Sequence, residues 1–230
     1  MANSLGGIRG FRIRSNPVSV GDAFVGTGVA RRHFVLWVLA FSIGWGVSGR
    51  AAETNMAARI AGLIVPAKLS TLRAGAANPR LQKAVCFLEE ARRAGSSVTA
   101  VAAEAVQLAG YTNREAANLT ANALVRNHDI AEKLGCLKSA GRAEMRQGKS
   151  PTVTLGPYKG QELSVDHIVP KSLAPELDRV IANLELLPIR LNQRKSDSVG
   201  QRQISLARKL QQAGLLSAAG LERVVRAANP

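Results

Sequence analysis

Only two of the 230 residues are cysteine, Cys86 and Cys136, and they stand fifty positions apart. No Cys-x-x-Cys pair exists, so a cysteine-held structural zinc is not expected. One disulfide, or two buried thiols, both fit that spacing. Aromatic residues make up 4% of the chain, and its core must therefore be built mostly from Ala, Leu, Val and Ile. Acidic residues are also scarce. Sixteen Asp and Glu face 31 Lys and Arg, a formal charge of +15. The surplus is spread along the chain, with +5 over residues 1–51 and +10 over 52–230. An excess of that size favours phosphate backbones or anionic surfaces as partners. There is no internal repeat, and no uncharged run is long enough for a comfortable membrane span.

The longest such run, Phe34 to Gly49, has sixteen residues and follows Arg31-Arg32. With Val47, Ser48, Gly49, Ala51 and Ala52 behind it, the run suits a secretory h-region ahead of a cleavage site. Arg31-Arg32-His33-Phe34-Val35 is similar to a twin-arginine signal, although Ala30 and Leu36 depart from the usual pattern. Residues 1–52 are thus expected to be an export signal with a long polar lead, giving a periplasmic or extracellular protein with no stable membrane association after processing. A buried core helix or an uncleaved anchor are the alternatives.

Residues 53–147 are expected to form a helical unit. The stretch 53–78 is rich in Ala, and Asn78-Pro79 opens a fresh element. From Pro79 to about 95 Leu81, Val85 and Leu88 share one face, with Glu89, Glu90, Arg92 and Arg93 largely opposite. Gly95-Ser96-Ser97 separates this helix from one running to Gly110, with Val98, Val101, Ala105 and Leu108 inward. Thr112-Asn-Arg-Glu115 fits a capping box for a third helix that stops near Gly135. His128 is expected to be a satisfied polar residue rather than a catalyst.

At Gly148 the texture changes to Pro- and Gly-rich, with a short β-prone run at Thr152 to Leu155. A strand is expected from Leu163 to Val169, ended by Pro170, and a second apolar run from Val180 to Leu187. Pro188 would start a helix, and two more would follow at roughly 201–213 and 218–228, the last capped by Ser217.

The chemistry is concentrated in residues 164–197. Asp166 and His167 end the first strand, Asn183 follows sixteen residues after the histidine, and Asn192 nine further on. Phosphodiester hydrolysis needs a base for the attacking water and positive charge at the phosphate and the departing oxygen. A neutral imidazole, His167, can be that base. Magnesium keeps several waters and asks little of the protein, so the Asp166 carboxylate and the Asn192 amide oxygen suffice as ligands. One tension stands out: neighbours on a regular strand point to opposite faces, so Asp166 and His167 need a twist or break to reach one phosphate, and Pro170 three residues on points to one. Asn192, Lys195 and Ser196 share one helix face, and Arg190, Arg194 and Lys195 are candidate phosphate contacts.

Val165-Asp166-His167-Ile168-Val169-Pro170, Asn183-Leu184-Glu185-Leu186-Leu187 and Asn192-Gln193-Arg194-Lys195-Ser196-Asp197 resemble the three boxes of the HNH endonucleases, in their Asp-His/Asn/Asn variant. The resemblance covers about 35 to 50 residues. It implies a ββα-metal finger in which His167 is the general base, Asp166 and Asn192 bind one divalent metal, and Asn183 braces the loop that orients the histidine. It also implies cleavage of DNA, ahead of RNA, to a 5′-phosphate and a 3′-hydroxyl. The metal would be Mg2+, or else Mn2+. Pro188 and Leu191 stand where many relatives carry a second cysteine pair, so the finger must be held by packing, with the helices at 201–228 as the natural support. The expectation is an α+β, mostly helical protein: the helical unit, then an HNH nuclease domain at 148–230 comprising the finger and C-terminal helices. A catalytically silent nucleic-acid-binding module and an exported toxin or effector nuclease with a partner protein are the alternatives.

Overall fold

A computed structural model of the chain describes residues 55–195 and 197–228. The export signal expected over 1–52 and the helix-face placement of Ser196 lie outside the described residues. Among those described, no helix is long and apolar enough to cross a membrane.

The described chain is mostly helical, with one two-stranded antiparallel sheet. Residues 55–64 form α1 and Pro66–Thr71 form α2, in the Ala-rich stretch to which no element was assigned from sequence. Helix α3 (Ala77–Arg93) buries Leu81, Ala84, Val85, Leu88 and Ala91. Helix α4 (Val98–Leu108) is capped by Ser97, whose Oγ accepts from Ala100 N at 3.3 Å. Its buried stripe centres on Val101, Ala102, Ala105 and Val106, which leaves Leu108 on the flank and 53% exposed rather than inward. Helix α5 (Arg114–Lys133) starts one residue later than the capping-box pattern predicts. Asn113, not Thr112, is its cap, because one amide oxygen accepts from both Glu115 N and Ala116 N. Gly135 then takes a left-handed turn at φ 69°, and α6 (Ser139–Arg146) follows.

One expectation about charge needs correction, and the open question about the two cysteines is answered. Glu89 is buried, not on an outer face: Arg92 donates to both its oxygens, at 2.7 and 3.0 Å, and His128 Nε2 lies 3.1 Å away. Burial opposes the ionised form of Glu89, but these partners outweigh it and hold its carboxyl below the usual range. His128 is thus a buried, partnered polar residue, as its sequence context suggests. Cys86 and Cys136 are both buried free thiols, so the disulfide alternative falls. Burial pushes them up to about 12 and about 11 respectively, with Glu90 and Glu144 adding to the effect.

The Thr152–Leu155 run makes only a single bridge, Thr152 with Glu162. Strand β1 (Leu163–His167) then pairs with β2 (Leu184–Pro188), in register from Leu163 opposite Pro188 to His167 opposite Leu184. Pro188 therefore ends a strand instead of starting a helix, at a terminal ladder position where its missing N–H is tolerated. Helix α7 (Ile189–Lys195) begins one residue on, and α8 (Gln201–Gln212) and α9 (Ala218–Ala227) complete the fold, with Ser217 Oγ accepting from Gly220 N at 3.0 Å.

One apolar cluster runs from Ile60, Leu81, Leu88 and Leu124 of the early helices to Leu163, Ile181, Leu184 and Leu186 of the hairpin. A second joins Val169, Leu177 and Ala182 of the β1–β2 connection to Ala207, Leu210 and Val224 of α8 and α9. Polar bonds follow the same lines. Asn127 of α5 acts as a short substitute for a third strand: its Nδ2 donates to Leu184 O at 3.0 Å and its Oδ1 accepts from Leu186 N at 2.7 Å. Asn127→Ala should cost about 1–3 kcal/mol, the penalty for leaving a buried N–H such as that of Leu186 without a partner. Chemical denaturation followed by far-UV circular dichroism measures it. An unchanged midpoint would show that Leu186 N finds another acceptor.

Candidate active site

Alternation along β1 sorts the site residues onto two faces. Leu163 and Val165 face the core, and His167 continues that row. Ser164 and Asp166 face α7 instead. Asn192 Nδ2 donates to Ser164 Oγ at 3.2 Å, and Ser164 Oγ donates to Leu187 O at 2.9 Å. Lys195 Nζ lies 2.8 Å from Asp166 Oδ2 and donates to the main-chain oxygen of His167 at 2.7 Å. The twist or break expected there is not found: the ladder stays regular through His167, so Asp166 and His167 diverge as adjacent strand residues should. No direct hydrogen bond or ion pair joins the side chains of Asp166, His167 and Asn192; Ser164 and Lys195 link α7 to the strand.

His167 turns toward the β1–β2 connection. Its Nε2 lies 3.1 Å from the carbonyl oxygen of Asp178 and 3.3 Å from Asp178 Oδ1. Both neighbours are acceptors, so Nε2 carries the ring hydrogen, and Nδ1 of the neutral ring holds the lone pair. Asp178 is itself buried, and its second oxygen accepts from Gly75 N at 3.0 Å. Arg179 donates to Leu72 O, a second tie to the same α2–α3 connection. The imidazole is therefore oriented by a loop that the helical unit holds in place.

Asn183 is completely buried and bonds both ways with Val169: Oδ1 accepts from Val169 N at 2.9 Å, and Nδ2 donates to Val169 O at 3.0 Å. Ile168 N adds a bond to Asn183 O at 2.8 Å. The two ends of the sixteen-residue connection are thereby closed just beyond His167. This is the contact through which an amide can fix the loop after the histidine.

Arg190 and Arg194 are exposed on α7, while Lys195 is half-buried and engaged internally. Behind them Glu185 is buried between Arg126 and Arg202. The hydrogen bond to Glu185 raises Arg202 above its ordinary value despite partial burial, and the Asp166 charge adds to this. Burial lowers Arg126. A cleft of about 410 Å³ adjoins Asp178, with Lys171, Ser172, Arg179 and Asp197 among its lining residues. Asp178, Lys171 and Arg179 were not singled out from sequence. Asp178 carries no local signal, since its partner Gly75 lies 103 positions away.

Asp166 and Asn192 are the side chains from which a cation could be held. Asn192 commits its amide nitrogen to Ser164, leaving the amide oxygen able to ligate. Asp166 Oδ2 is buried and receives no hydrogen bond of acceptable geometry, although the Lys195 ammonium lies close by. Among the described residues no three His, Cys, Asp or Glu side chains gather into a metal-binding group. A carboxylate and an amide, with water completing the shell, is the pattern of magnesium. No protein-family model, curated protein or solved structure matches the chain.

Proposed function

We propose that the chain is a metal-dependent endonuclease of the HNH type, in which β1, β2 and α7 form a ββα-metal finger. The observation that carries this most is His167, fixed through Nε2 by Asp178 beside a loop that Asn183 closes. His167 takes the proton of the attacking water at Nδ1, while the Asp178 carbonyl holds the ring through Nε2. A divalent cation, Mg2+ or Mn2+, held by Asp166 and Asn192 would neutralise charge at the phosphate and at the departing oxygen. Arg190 and Arg194, both exposed, would meet the phosphate backbone. DNA is the expected substrate ahead of RNA, with 5′-phosphate and 3′-hydroxyl products. The uncharged run behind Arg31-Arg32 supports export to the periplasm or beyond.

A second candidate is a catalytically silent nucleic-acid-binding module, favoured by one observation: Lys195 already neutralises Asp166. An exported toxin or effector would be the same nuclease with a neutralising or delivery partner.

Supercoiled plasmid and a structured RNA, each incubated with the purified chain and Mg2+ or Mn2+, separate these functions. Nicking that requires the cation and stops with chelator is expected. Binding that weakens with salt but ignores chelator, with no cleavage of either substrate, would replace the nuclease with the binding module.

A further inference from the structure

The Lys195 ammonium lies against one oxygen of the Asp166 carboxylate, the proposed cation ligand. Its Nζ is 2.8 Å from Asp166 Oδ2, and the two side chains are only 16% and 14% exposed, so the pair is shielded from bulk water. The contact is ionic in character. The ammonium directs a hydrogen bond to His167 O at 2.7 Å, while Asp166 Oδ2 receives none of acceptable geometry. Arg202 places a further positive charge near the same carboxylate.

An ammonium and a divalent cation on one carboxylate repel each other, and in a partly desolvated site that repulsion is poorly screened, so each weakens the other's hold. Resting on the nuclease proposal above, we propose that Lys195 is an internal competitor of the divalent cation for Asp166. Cation loading turns the lysine away from the carboxylate and frees its ammonium for a substrate phosphate. One residue then serves two partners in turn: it neutralises Asp166 before loading and contacts the polyanion after it. Arg190 and Arg194, exposed on the same helix, have no such internal engagement with Asp166 and do not compete.

The test is Mn2+ binding to the full chain, read from the electron paramagnetic resonance of free Mn2+, in wild type, Lys195→Met, Arg194→Met and Asp166→Asn. Removing the competing ammonium should tighten Mn2+ by about tenfold or more, whereas removing the exposed Arg194 charge, which is screened by solvent, should change it less than about twofold. Asp166→Asn should weaken binding strongly. In wild type, Mg2+ should shift or broaden the Lys195 side-chain ammonium resonance in 15N spectra, a signal independent of any variant's folding.

Equal effects of the Lys195 and Arg194 changes, or a Lys195 resonance that saturating Mg2+ leaves untouched, would overturn the competition while leaving the Asp166 site standing. If Asp166→Asn binds Mn2+ as well as wild type does, the cation lies elsewhere. The metal assignment of the nuclease proposal then falls together with the competition.

Discussion

His167→Ala is expected to slow metal-dependent nicking by about 10²–10⁴-fold, the span that a positioned general base contributes. The loss should fall on turnover and leave nucleic-acid binding nearly intact, because the imidazole touches Asp178 and not the exposed arginines of α7. The fold should survive. The second Asp178 oxygen keeps its bond from Gly75 N, and Asn183 still closes the loop through Val169. Single-turnover cleavage with the variant in excess over plasmid separates the chemical step from binding, and added imidazole gives a second readout. Partial rescue by free imidazole would mark the missing group as a base. A variant that cuts like wild type would place the base elsewhere, and one that no longer binds would make His167 a substrate contact.

Much of the helical framework is legible in sequence because helix ends are signalled locally. Ser97 and Ser217 cap helices where their hydroxyls stand just before an apolar period, and Gly135 turns the chain after α5. Even the one misplaced cap is a local matter, with Asn113 outcompeting Thr112 because its longer side chain reaches two N–H groups. The candidate residues stand out in sequence for a related reason: Asp166, His167, Asn183 and Asn192 fall within one short segment.

Residues whose partners are distant in sequence are not legible. Asn127 looks like an indifferent mid-helix residue until β2 is laid beside it, 57 positions on. Glu89 follows the charged side of α3 in sequence, yet it is buried because His128 and Arg92 meet it there. Charge and helix spacing by themselves make Lys195 a candidate phosphate contact. Spacing puts it beside Asn192, but only the packing of α7 on β1 brings its ammonium onto Asp166.

The fragment 148–230, which contains every residue of the proposed finger, is expected not to fold alone. A two-stranded hairpin is at best marginal in water, and this one is finished by groups from residues before 148. Asn127 pairs with Leu184 and Leu186, Gln82 Nε2 donates to Leu163 O at 3.2 Å, and Gly75 N bonds Asp178. Leu163, Ile181, Leu184 and Leu186 are each at most 1% exposed in the cluster that they share with the early helices. Excision would expose much of that surface. At about 1.5–3 kcal/mol for each large apolar side chain, four of them represent about 6–12 kcal/mol. A whole domain is typically stable by only about 5–15 kcal/mol. The contacts kept with α8 and α9, through Val169, Leu177 and Ala182, are too few to offset that loss. The isolated fragment should therefore give a collapsed amide spectrum and no cooperative melting, and supplying 53–147 as a separate chain should restore dispersion. A fragment that melts cooperatively by itself would show that the finger carries its own stability. The tie from Gly75 through Asp178 to His167 would then be a device for orienting the base and not a condition for the fold.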